Sequence, residues 1–176
     1  ANDSLGGGFL ARINMDLRET RHWAYGAYGS FSRAQHAVFY SVSAPVQADR
    51  TGESIAAIRG DVAAFVTDKG ITSEEFDRTI AGSIRELSGS YESSAAVLGA
   101  MAANDLYRRP DDYQARLPEK YRALTRAQLD AAARAALDPK RFIWVVVGDA
   151  AKVRPQLDSI GLPVEVIPAV SVADPR

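Results

Sequence analysis

The hydrophobic period changes abruptly within the first fifty residues, so one type of secondary structure cannot satisfy both patterns. Phe9, Leu10, Ile13 and Leu17 recur at spacings of three and four, which predicts a helix running to about Thr20 with these side chains on one face. The next segments, WAYGAYGSF (23–31) and HAVFYSVSA (36–44), alternate small or polar residues with aromatic and β-branched ones, a strand pattern. Between them, SRAQ (32–35) reads as the turn of an antiparallel hairpin. The abrupt junction, INMDLRETRHWAYGAYGSF (13–31), places Arg18 and Tyr25 seven residues apart across the helix-to-strand change.

Helical period returns near Gly52. Ile55, Ile58, Val62, Phe65 and Val66 form a stripe that ends before Lys69-Gly70, a glycine C-cap pattern. Thr72 and Glu75 have capping-box spacing ahead of a second stripe, Phe76, Ile80, Ile84 and Leu87. SSAAVLGAMAANDLYRR (93–109) predicts another helix, stopped by Pro110, and DDYQARLPEKYRAL (111–124) one or two short helical turns. Thr125 and Gln128 repeat the capping-box spacing before RAQLDAAARAAL (126–137), a strong helix former that ends at Asp138-Pro139. The continuous β-branched run in RFIWVVVGD (141–149) predicts a fully buried strand. Gly148 would supply the bend after it and Asp149 the N-cap of a short helix over about 150–159, and VEVIP (164–168) would be a last strand. The order predicts an α+β fold, an antiparallel or mixed sheet covered by several helices. A single domain over 1–170 with a disordered-looking tail at 171–176 is expected, and no repeat of about 20–50 residues is present.

Composition narrows the function. With 21 basic and 22 acidic side chains interspersed and a net charge of −1, nothing points to nucleic acid or to an anionic membrane. No apolar run approaches the roughly 20 residues that cross a bilayer, so membrane insertion is not expected. The absence of cysteine excludes disulfides, thiolate nucleophiles and cysteine-ligated metal sites. The two histidines, His22 and His36, are fourteen residues apart, too far for a shared zinc on one helical turn, so no metal site is expected in this segment. Composition leaves Ser–His–Asp catalysis open, yet there is no Gly-x-Ser-x-Gly elbow and neither histidine has a distinctive setting. In LGGGF (5–9), glycines before a helix could cradle an anion, but the Lys-Ser/Thr of a P-loop is missing, which favours a tight turn with close backbone packing. Asp149 reads as a cap rather than as an acid catalyst.

One pattern is more specific. Leu5-Gly6-Gly7, Phe9, Arg12, Asn14, Leu17-Arg18-Glu19 and Tyr25-Gly26 resemble the C-terminal, substrate-binding domains of the insulinase/pitrilysin family, the inverzincin, mitochondrial-processing-peptidase-like zinc metallopeptidases, here of bacterial type. The alanine-rich helix RAQLDAAARAAL and the VVVGD strand-turn sit where that family has equivalents, so the resemblance spans nearly the whole chain. It implies paired homologous α+β domains or subunits that close around an unfolded peptide. One carries His-x-x-Glu-His and zinc, while another supplies an arginine and a tyrosine. Arg18 and Tyr25 map onto that pair as substrate-binding residues. A guanidinium can hold peptide carbonyl oxygens through fixed donors, and a phenol can donate to a developing oxyanion. No residue of this segment is assigned a catalytic role, and zinc would reside in the parent enzyme or a partner subunit.

His22 departs from the pattern, since the family usually has glycine there, where a left-handed backbone is required. Histidine is among the residues enriched at positive φ. The resemblance also implies strands before the LGG turn, so the chain reads as part of a longer polypeptide lacking its first strands. An edge left unpaired in this way could be covered by another copy of the chain. A zinc-bearing N-terminal domain or partner subunit, in a homo- or heterodimer, is the expected partner, with a peptide as substrate. Family members that are proteolytically inactive and act as partner or structural core subunits are the alternative. An unrelated α+β module, in which Arg18 and Tyr25 are structural, is the third possibility. Lack of cysteine is compatible with a periplasmic location.

Overall fold

The computed structural model describes residues 1–33 and 37–169. The chain opens with a π-helical turn, Asp3–Gly7, followed by α1 (Arg12–Asn14) and a second π-helical segment, Met15–Thr20. The expected regular first helix is therefore split and starts later. Ala11 is extended, so Phe9 and Leu10 lie ahead of α1 and are each 51% exposed, whereas Ile13 and Leu17 are fully buried. In the second segment the Arg21 amide donates to the Asp16 carbonyl five residues back (2.9 Å), the wide-turn pattern that often marks functional positions.

The hairpin forms as the alternation predicts. β1 (Tyr28–Arg33) pairs antiparallel with β2 (Val38–Ser43), with Phe31 opposite Tyr40 and their rings 4.9 Å apart. Ser32 and Arg33, read from sequence as turn residues, instead extend β1 and pair with Phe39 and Val38. The rest of the expected turn, Ala34 and Gln35, lies outside the described residues, as does His36. Tyr25 sits in a bend before β1 rather than within the strand. Gly6 and Gly29 explain the glycine-rich entry. A Cβ on Gly6 would stand 2.9 Å from the Gly29 nitrogen, and one on Gly29 would collide with the Tyr40 hydroxyl. The glycines therefore serve close packing of the first segment on β1, in a π-helical turn.

The helices follow their local signals. α2 (Thr51–Val66) buries Ile55, Ile58, Val62 and Phe65, each contributing about 1.5–3 kcal/mol by removal from water. It ends on Thr67, and Gly70 is not left-handed: among the described glycines only Gly161 has positive φ. α3 (Ser73–Gly89) opens with the Thr72/Glu75 capping box. α4 (Ser94–Leu106) and α5 (Leu117–Arg122) follow, and α6 (Arg126–Ala136) opens with the Thr125/Gln128 box. In α7 (Ala150–Asp158), Asp149 caps the helix by accepting from the Ala151 amide (3.0 Å). The core gathers Leu5, Ile13, Leu17, Ala27, Ile58, Val62, Phe65, Ile71, Ala133 and Leu137, with Trp23, Phe31, Tyr40, Phe142 and Trp144 packed against it. Helices combined with one antiparallel sheet make this an α+β fold, and none of the described helices is long and apolar enough to cross a membrane.

Two expected strands are corrected. Residues 142–147 and 163–168 form no strand and pair with no described strand. Ile143, Val145 and Val147 are 85–95% exposed, while Phe142 and Trp144 pack on the core. A continuous β-branched run is buried on both faces only when strands flank it and cover it. Among the described residues nothing does so here. The two segments line, with α7, an apolar cavity of about 400 Å³ that includes Trp144, Val153, Leu157 and Val166.

Candidate functional site

The site is assembled where the second π-helical segment turns into the hairpin. Leu17 anchors this turn from the core, and its carbonyl accepts from both the Trp23 (2.9 Å) and Ala24 (3.3 Å) amides. Between them the chain reverses at His22, which adopts φ 58, the left-handed conformation that glycine adopts most readily and that histidine tolerates. His22 Nδ1 bonds the Arg18 carbonyl (3.0 Å), and Gln47 Nε2 donates to the His22 carbonyl (3.0 Å). An isolated bridge between Ala24 and Val46 completes the support. This fixes the backbone on either side of the bend that presents Tyr25.

Arg18 projects from the π-helical segment, and its guanidinium carbon lies 4.6 Å from the centre of the Phe9 ring and 5.1 Å from that of Tyr25. The two residues singled out from the sequence are therefore brought together, through the face of the phenol ring. Among the described residues the one ionic partner of Arg18 is Glu19, at 3.0 Å from Nε, with the Glu19 side chain 46% exposed. Such a half-solvated pair is weak and leaves most of the cation available. Tyr25 is 88% exposed, and its hydroxyl has no hydrogen-bond partner among the described residues. The arrangement offers a partly exposed guanidinium next to the ring of an exposed tyrosine, donors suited to carbonyl or carboxylate oxygens.

Two other residues of the quoted pattern are structural, which their spacing does not reveal. Asn14 is fully buried; its Nδ2 donates to the Phe9 carbonyl (2.6 Å) and its Oδ1 accepts from the Ala27 amide (3.0 Å). It thus ties the segment before α1 to the entry of β1. Arg12 grips the start of α3: Nε and Nη2 donate to the two Glu75 carboxylate oxygens at 2.7 and 2.6 Å, and the Lys69 and Gly70 carbonyls accept its remaining bonds. Burial alone would raise Glu75, but the bonds from Arg12 and the Thr72 amide outweigh it and hold the carboxyl below its ordinary range. On the same π-helical segment as Arg18, Asp16 pairs with Arg21 (2.7 Å) and also faces Asp61 of α2. Desolvation, reinforced by the Asp16 charge, pushes the Asp61 carboxyl up to about 6. No group of three or more His, Cys, Asp or Glu among the described residues could hold a metal ion.

The profile of the family described as peptidase M16 inactive domain matches residues 1–83, a span that contains Phe9, Asn14, Arg18, His22 and Tyr25. Solved structures extend the M16 likeness beyond that span. A peptidase M16 inactive domain from Pseudomonas fluorescens is 28% identical and superimposes with a TM-score of 0.68 over 78% of this chain and 33% of its own. A conserved protein from Enterococcus faecalis V583 (20% identity, TM-score 0.65, 76% of this chain and 31% of its own) and a protease from Helicobacter pylori (20%, 0.58, 76% and 32%) share the fold. The chain spans about a third of the length of each of these structures. Comparison with curated proteins produced no match.

Proposed function

We propose that this chain is the substrate-binding, non-metal half of a zinc-dependent peptidase that encloses unfolded peptides. The observation that carries the reading is the contact of a partly exposed Arg18 with an exposed Tyr25, both with unused donors, inside the stretch that matches the M16 family model. Arg18 would hold peptide carbonyl oxygens through its guanidinium donors. The Tyr25 hydroxyl would donate to the oxygen on which charge develops during attack, an interaction whose loss typically costs about 2.7–4 kcal/mol. Zinc and the glutamate that activates water would belong to another domain or to a partner subunit, which also makes that domain or subunit the expected binding partner.

The test uses the full-length protein together with its zinc-bearing domain or subunit. Arg18→Ala and Tyr25→Phe are each expected to lower kcat/KM for a peptide substrate well over tenfold, with zinc content unchanged. Unchanged turnover in both variants would refute the assignment and favour purely structural roles for Arg18 and Tyr25.

A further inference from the structure

Phe9 belongs to the quoted pattern but has no assigned role, and its environment is unusual for a phenylalanine. It is half exposed and lies outside the core cluster and the side chains packed on it. Its ring is instead the nearer of the two beneath the Arg18 guanidinium, at 4.6 Å against 5.1 Å for Tyr25. We propose that Phe9 is a positioning residue for Arg18, fixing the guanidinium so that its donors are pre-set for a peptide. This deepens the function proposed above and rests on it.

Three observations support the inference. Arginine has a long, rotamer-rich side chain whose ordering opposes binding unless something else holds it. The half-solvated Glu19 pair is too weak to do so, whereas an aromatic face under a guanidinium adds an attraction that also sets the orientation of the plane. The placement of Phe9 is not incidental, because its carbonyl is bonded by Asn14, which is fully buried and also holds the Ala27 amide two residues after Tyr25. One buried amide therefore registers the backbone next to both rings that flank Arg18. A sequence signal for this is absent, since Phe9 lies nine residues before Arg18 and precedes the helix that would relate them.

The test again uses the full-length protein with its zinc-bearing domain or subunit, and compares Phe9→Ala, Phe9→Leu and Phe9→Tyr in the wild-type and Arg18→Ala backgrounds. Phe9→Ala should raise KM about two- to fivefold, the scale of an exposed cation–π contact, with kcat within twofold of wild type. Phe9→Tyr, which keeps an aromatic face, should restore KM, and Phe9→Leu, which keeps only apolar volume, should not. In the Arg18→Ala background Phe9→Ala should have no further effect. Rescue by leucine, a silent Phe9→Ala beside an impaired Arg18→Ala, or a Phe9 effect that persists without Arg18 would overturn this inference while leaving the proposed function standing. A silent Arg18→Ala would overturn both.

Discussion

Asp61 couples the stability of this fold to pH in the direction opposite to most carboxylates. One of its oxygens is buried with no hydrogen-bond partner, and burial together with the Asp16 charge moves the carboxyl from 3.8 to about 6, against weaker opposition from Arg21, Arg12 and Lys69. Because the folded chain binds this proton more tightly than the unfolded chain, the group's contribution is fully present below about pH 4. It is lost as pH rises through about 6. A displacement of about two pH units, at about 1.36 kcal/mol each, bounds the penalty at neutral pH near 3 kcal/mol. The side chain is only partly buried, so solvent screening reduces this to about 1–2 kcal/mol. Asp61→Asn, which resembles the protonated form, should match wild type near pH 4 and exceed it by about 1–2 kcal/mol at pH 7–8. Urea unfolding followed by circular dichroism at intervals from pH 4 to 8 measures this. Glu75 contributes stability of the opposite sign, present above its unfolded pKa and lost on acidification. The quantity to read is therefore the difference between variant and wild type. A difference that does not change with pH, or that favours wild type at neutral pH, would refute the reasoning.

Glu75→Ala removes the bidentate partner of Arg12 and half of the Thr72 capping box at once. It should destabilise the fold by about 2–4 kcal/mol, combining a broken charged pair with a lost cap, and a shift of less than 1 kcal/mol in urea unfolding would contradict that account. Ile143→Lys with Val147→Lys places charges on an exposed, unpaired apolar segment, a device that blocks edge pairing. The double variant should shift light-scattering mass towards monomer at high concentration without loss of helicity, and an unaltered mass distribution in a wild-type protein that self-associates would show that this segment is not the adhesive surface.

Features governed by neighbours three or four residues away were legible in the sequence. The capping boxes at Thr72 and Thr125, the Asp149 cap, the buried stripe of α2 and the alternation of the hairpin are all local, because each is satisfied by atoms within one turn or across one short loop. The left-handed reversal at His22 could likewise be anticipated, since it is a property of one residue's backbone. Arg18 and Tyr25 were legible as a pair only through the M16-like pattern around them, and their ring-face contact was not.

What the sequence alone determined about this protein is its alternation of helices and hairpin and the likeness of its first 83 residues to the peptidase M16 inactive domain. Tertiary structure decided the rest. Arg12 meets a carboxylate 63 positions away, Asn14 ties Phe9 to Ala27, and Phe9 comes under Arg18, none of which leaves a periodic trace. It also decided that Ile143, Val145 and Val147 of FIWVVV lie open: a β-branched run encodes readiness to pair, but burial requires flanking strands that its own residues cannot specify.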